Sequence, residues 1–173
     1  MKLHTLLATI VSLAGLTVLA HAAPLAVGAS APDVASVDQD GKPVNFKDVY
    51  AKGPTLVYFY PKADTGGCTK QGCSIRDSWA DLQKAGIQVL GVSEDTVEEQ
   101  KHFSDKNQFP HKLIADKDGK VAAAFQVDML KPNITARQSF LIKDGKVVWN
   151  MLSKTSTDGH AKDVLAAYEA LKK

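Results

Sequence analysis

Cys68 and Cys73 are the two cysteines of this 173-residue sequence, and no other residues in it are better suited to covalent chemistry. They lie in Pro61-Lys62-Ala63-Asp64-Thr65-Gly66-Gly67-Cys68-Thr69-Lys70-Gln71-Gly72-Cys73. From Cys68, the positions Gly72, Ile75, Trp79 and Leu82 recur at steps of four and three, which is one face of a helix. Cys68 therefore falls in the first turn of that helix. The unpaired amide N–H groups and the positive end of the helix dipole favour a thiolate over a thiol there. Such a sulfur attacks soft electrophiles. The plainer alternative is a buried, inert thiol, the commoner fate of a cysteine. Lys62 and Lys70 either add positive potential or are ordinary solvated charges.

The distance to Cys73 says more. Five residues of intact α-helix rise about 7.5 Å and turn about 140°, placing the two Cα atoms roughly 8–9 Å apart. A disulfide needs them within roughly 7 Å. The pair cannot bond while the helix is formed, and can if its first turn unwinds. Gly66, Gly67 and Gly72 lower the cost of unwinding, because glycine weakens a helix and tolerates other backbone conformations. A structural staple would join distant segments, whereas this loop is tiny and would stabilise little. The geometry favours a cycling redox pair over a staple.

The flanking chain must hold that junction in place. Thr55–Tyr60 (TLVYFY) is a continuous β-branched and aromatic run, suited to a strand buried on both faces and stopped by Pro61. Gly86 ends the helix that carries the cysteines, and Ile87–Val92 reads as a second buried strand. Asp95 with Glu98 resembles a capping box opening a helix to about Asn107. Lys112–Ala115 is a short strand candidate and Val121–Phe125 a short helix. Hairpins are expected around Asp40-Gly41-Lys42-Pro43 and around Lys143-Asp144-Gly145-Lys146, the latter joining Ser139–Ile142 to Val147–Met151. Asp163–Leu171 closes the chain as an amphipathic helix with Val164, Leu165, Tyr168 and Leu171 inward. Alternating strands and helices imply an α/β domain with a mixed central sheet and helices on both faces.

The first residues read as an address. Lys2, an apolar run from Leu6 to Leu19 and then Ala20-His21-Ala22 form a secretory leader with a cleavage site after Ala22. Residues 1–22 are thus an expected signal peptide and 23–173 a single domain, periplasmic or secreted. The apolar run is shorter than the roughly 20 residues that span a bilayer, so no stable membrane association is expected. With 21 Lys and Arg against 19 Asp and Glu, the formal charge is +2 and no basic block offers a surface for nucleic acid. Two cysteines are too few for a disulfide framework or a four-cysteine zinc site.

The spacing of Pro61, Thr65 and Cys68 resembles the active-site motif P-x-x-x-T-x-x-C of peroxiredoxins. The stretch FYPKADTGGCTKQGCSIRD resembles their atypical two-cysteine branch, PrxQ or bacterioferritin comigratory protein, whose second cysteine follows after four residues. The likeness extends from Val27-Gly28-Ala29-Ser30-Ala31-Pro32-Asp33 through DQDGK and Arg137-Gln138-Ser139-Phe140-Leu141-Ile142 to His160 and the last helix. It implies a thioredoxin-like fold and a thiol peroxidase with no cofactor and no metal. Cys68 would be the peroxidatic nucleophile and Cys73 the resolving thiol that closes an intramolecular disulfide with it. Thr65 would bind the peroxide and orient the thiolate, Pro61 shield the pocket, and Arg137 stand as the active-site arginine. The implied partners are peroxide substrates and an external thiol reductant, either a thioredoxin-like donor or a membrane-linked relay. The protein would be a monomer or weak dimer. Gly66 stands where this branch often has proline.

Other features have weaker claims. A thioredoxin-like thiol–disulfide oxidoreductase would share fold and compartment but needs C-x-x-C, and four residues separate these cysteines. A copper-handling relative would need a distal histidine, for which His160 is the candidate. His102, His111 and His160 lack metal-ligand spacing. Gly67-Cys-Thr-Lys-Gln-Gly72 fails as a phosphate loop because Cys73 occupies the lysine position. Glu94, Asp95, Glu98 and Glu99 read as helix N-terminal charge. Asn133-Ile134-Thr135 matches a glycosylation sequon. Trp79 and Trp149 read as packing residues.

Overall fold

The computed structural model describes residues 24–153 and 156–172; the expected leader and its cleavage site lie outside them. Nine strands and six helices follow in order among these residues. They are β1 (Ala35–Asp38), β2 (Pro43–Asn45), α1 (Phe46–Tyr50), β3 (Thr55–Phe59), α2 (Gly66–Asp77), α3 (Trp79–Lys84), β4 (Gln88–Ser93) and α4 (Val97–Asn107). Then come β5 (Lys112–Ala115), α5 (Lys120–Ala124), β6 (Met129–Lys131), β7 (Ile134–Thr135), β8 (Ser139–Lys143), β9 (Lys146–Met151) and α6 (His160–Ala170). Seven strands form one sheet in the order β2-β1-β5-β4-β3-β8-β9, and β6 pairs with β7 alone. β3, β4 and β5 run parallel, and β8 joins β3 antiparallel, so the sheet is mixed as expected.

Strand alternation assigns the two faces. Leu56, Tyr58 and Tyr60 point into one core with Ile75, Phe103 and Val164, under α2, α4 and α6. Val57 and Phe59 point into the other with Phe46, Val121 and Phe125, under α1 and α5. All five residues of β3 are buried, which is why its sequence shows no polar alternation. Gly91 lies in register with Tyr58. A Cβ at Gly91 would come within 2.7 Å of the Tyr58 ring, so glycine here makes room for a tyrosine whose hydroxyl meets His111 Nε2 at 2.8 Å.

Several details differ from expectation. The helix after the cysteines breaks at Ser78 into α2 and α3, and Trp79 at the break is only partly buried against the core. The capping box of α4 is Thr96 with Glu99, one residue later than Asp95 with Glu98. Asp95 is taken up by the loop before α2 instead. In α6, Leu171 lies past the helix end and is exposed rather than inward. The α1 turn and the β6–β7 hairpin were not foreseen. Both are too short for a periodic signal. The β8–β9 turn is as expected, with Asp144 at φ 52° and Gly145 at φ 69°, the two left-handed positions of a type I′ hairpin.

Candidate active site

β3 delivers the chain to the site. Its neighbours fix its end through Tyr60 N–H to Val92 O at 3.1 Å and Thr135 Oγ1 to Tyr60 O at 3.1 Å. Pro61, half-buried, follows at once and ends the strand. The loop then turns at Asp64, whose backbone is left-handed (φ 59°), and its carboxylate is held by His102 and Lys106 of α4 at 3.4 and 3.0 Å. Thr65 is the N-cap of α2 in extended conformation, but its hydroxyl does not cap the helix. It donates instead to the Lys62 carbonyl at 2.9 Å. The amide N–H groups of the first turn are left uncapped by Thr65, an arrangement that favours negative charge at that helix end.

Cys68 sits in this first turn with its side chain 2% exposed. Arg137, on the segment leading into β8, donates from Nη2 to Cys68 Sγ at 3.2 Å. Its other arm, Nη1, donates to Gln71 Oε1. One planar fork thus spans two side chains three residues apart on one helix face, a geometry that lysine cannot reproduce. Gly67 faces the same guanidinium, where a Cβ would lie 3.2 Å from Nη2. Of the expected residues, Arg137 therefore meets the buried Cys68 sulfur directly, while Pro61 and Thr65 lie on the loop that leads from β3 into α2, with Thr65 bonded to the Lys62 carbonyl.

Cys73 lies two turns into the same unbroken helix and is partly exposed; both thiols are free. Beyond it, Ile75 is fully buried and Arg76 Nη1 donates to Asn107 O at 2.9 Å, so the second half of α2 is pinned to the end of α4. Gly72 is pressed by Phe109, whose ring carbon Cζ would stand 2.4 Å from an added Cβ.

Gln71 was not singled out from the sequence. Its signal was a polar residue at the position three after Cys68, on a helix face otherwise committed to the core. It is completely buried. His160 is also buried, at the start of α6, its Nε2 3.3 Å from Ser139 Oγ and its ring 5.8 Å from that of Tyr58. Burial, aided by the Arg137 charge, pushes its pKa down to about 4. It packs in the core, and among the described residues no three His, Cys, Asp or Glu side chains converge on a metal-sized site. Lys62 is no free surface charge, since it pairs with Asp95 and with Glu99 Oε1 at 2.7 Å.

The chain resembles several known proteins in sequence and in fold. Residues 27–150 match the AhpC/TSA family. The chain belongs to that family. A peroxiredoxin Bcp of Escherichia coli is 44% identical over 104 residues, 60% of this chain and 66% of that protein. A putative peroxiredoxin Bcp of Coxiella burnetii is 36% identical over 145 residues, 80% of this chain and 95% of the relative. Peroxidoxin BcpB of Mycobacterium tuberculosis superposes with a TM-score of 0.80 at 33% identity, covering 86% of this chain and 99% of its own. Peroxiredoxin Q of Xanthomonas campestris does so with a TM-score of 0.75 at 32% identity, covering 86% and 98%. The fold is that of thioredoxin-like peroxiredoxins, and among AhpC/TSA proteins this chain sides with the PrxQ and Bcp branch. It is a peroxiredoxin, a thiol-dependent peroxidase by class.

Proposed function

We propose that this peroxiredoxin reduces hydrogen peroxide and organic hydroperoxides through a Cys68 sulfenic acid and a Cys68–Cys73 disulfide. The observation that carries the reading is a buried Cys68 sulfur faced by Arg137 Nη2 at 3.2 Å, with a second free thiol five residues along the same helix. The Cys68 thiolate attacks one peroxide oxygen; the O–O bond breaks, the sulfur becomes S–OH, and the departing oxygen leaves as alkoxide or hydroxide and takes a proton. Negative charge develops on that oxygen, and fixed donors stabilise it better than reorganising water. Arg137 and the first-turn amides of α2 supply them.

The Cys73 thiol then displaces hydroxide from the sulfenic acid, forming the S–S bond and releasing water. α2 runs unbroken through both cysteines, so its first turn must open for this step. The clamped residues at and after Gly72 favour opening on the N-terminal side. A reducing dithiol, thioredoxin-like or fed by a membrane-linked relay, restores both thiols and is itself oxidised. The apolar leader with Ala20-His21-Ala22 supports work in the periplasm or another extracytoplasmic space, in peroxide defence. The intramolecular bond needs no second subunit, consistent with a monomer or weak dimer. Among the described residues, no helix is long and apolar enough to cross a membrane.

The test is peroxide consumption with a dithiol donor. Cys68→Ser is expected to abolish turnover, and undiminished turnover would defeat the proposal. Cys73→Ser is expected to give one fast oxidation and then accumulate sulfenic or sulfinic acid, read by mass spectrometry.

A further inference from the structure

A polar chain lies behind the loop that leads into α2 and makes no hydrogen bond to either sulfur. Asp95, on the turn between β4 and α4, is completely buried. Its Oδ2 accepts the Ala63 backbone N–H at 2.8 Å and the Ser93 hydroxyl at 2.6 Å. Its Oδ1 pairs with Lys62 Nζ. Ser93 Oγ in turn accepts from Gln100 Nε2 at 2.8 Å, and Gln100 Oε1 accepts the Tyr60 hydroxyl. A carboxylate serving only as helix N-terminal charge would be solvated and would not bind a loop 32 residues away in sequence. This one ties down two consecutive residues, Lys62 by its side chain and Ala63 by its backbone.

The consequence appears at Thr65. The Lys62 carbonyl, held between those two ties, accepts the Thr65 hydroxyl at 2.9 Å. A threonine hydroxyl has one proton and two lone pairs. With the proton committed to Lys62, Thr65 Oγ1 can offer a substrate only an acceptor. A peroxide O–H is a donor, and on the peroxidase reading, in which Thr65 binds the substrate, an acceptor there orients the peroxide toward Cys68.

We propose that Asp95 is a positioning residue for peroxide, holding Lys62 and Ala63 so that Thr65 Oγ1 meets the substrate as a hydrogen-bond acceptor. Its effect is selectivity, since a reagent that needs only an accessible sulfur gains nothing from an oriented acceptor. The inference rests on the peroxidase reading above.

The test compares Cys68 oxidation by hydrogen peroxide with its alkylation by iodoacetamide, both by rapid mixing on the full chain. Asp95→Asn is expected to lower the peroxide rate constant at least about tenfold, the size of penalty that a misplaced reacting group brings. Alkylation is expected to stay within about twofold of wild type, because it needs no such placement. In a Thr65→Val background, Asp95→Asn is expected to cost the peroxide rate nothing further. Equal losses in both reactions, no loss in either, or an undiminished further loss in the Thr65→Val background would overturn the proposal. If Asp95→Asn fails to fold, Ser93→Ala and Lys62→Met each remove one tie to the same carboxylate and are read by the same ratio. A wild-type peroxide rate no higher than that of free cysteine would sink the peroxidase reading itself, so the two failures are distinguishable.

Discussion

Arg137 meets α2 with both arms of its guanidinium, one on Cys68 Sγ and one on Gln71 Oε1. Charge alone does not explain that, because a lysine ammonium is a point and cannot span both partners. Arg137→Lys is therefore expected to lower kcat/KM for peroxide by roughly 10²- to 10³-fold, the usual effect of losing one fixed donor to a developing oxyanion. Steady-state kinetics across peroxide concentrations would show it, and a loss under threefold would deny the fork its role. Gly72 is constrained by packing rather than by backbone dihedral angle. Gly72→Ala drives a Cβ against the Phe109 ring, and about 1–3 kcal/mol of lost stability is expected by urea titration.

The two halves of α2 are held differently, and that difference suits a helix that must open at one end. Its second half is fixed by Ile75 in the core and by Arg76 on Asn107 O. Its first turn carries two glycines and depends on the Arg137 fork. The two glycines should act on different steps. Gly66 has open space where a Cβ would go and an ordinary helical backbone, so alanine fits and stiffens the turn by up to about 1 kcal/mol. Gly66→Ala is expected to slow disulfide formation up to about fivefold while sparing the first oxidation of Cys68. Gly67→Ala crowds Arg137 Nη2 at 3.2 Å and is expected to slow that first oxidation instead. Single-turnover traces, with the sulfenic acid trapped chemically, separate the two steps.

Buried titratable groups set how the protein responds to acid. Burial pushes His111 down to about 3 and His160 to about 4. A histidine whose pKa is lower folded than unfolded stabilises the fold above the unfolded value and loses that contribution as pH falls toward the folded one. Each removes up to about 1.4 kcal/mol per pH unit below about 6.5. Asp116 works the other way: burial raises it to about 6, against the pull of the Val121 and Ala122 amides, so protonation between about 6 and 4 favours the folded state. Between about pH 6 and 4 the two histidines outweigh Asp116, so these three groups together lower stability as pH falls. Urea midpoints across that range check it, and His160→Gln is expected to flatten the curve.

The sequence alone revealed much of this protein because much of its information is local. Cys68, Cys73, Thr65 and Pro61 lie within thirteen residues after an apolar, β-branched and aromatic run suited to a buried strand, and helix geometry by itself keeps the two sulfurs apart. The sheet strands, the Asp144-Gly145 turn and the main helices show through period and turn chemistry, which act over a few residues. Tertiary structure decided what depends on partners distant in the chain. Arg137 reaches Cys68 because β8 lies beside β3, and a resemblance, not spacing, pointed to it. Gln71 acquires its part only once Arg137 is in place. Asp95 reads as one more helix-start carboxylate until the parallel β3–β4 pairing brings Ala63 and Lys62 to it. Hydrogen bonds and burial are settled by what surrounds a group in space, and a sequence fixes neighbours only within a few turns of chain.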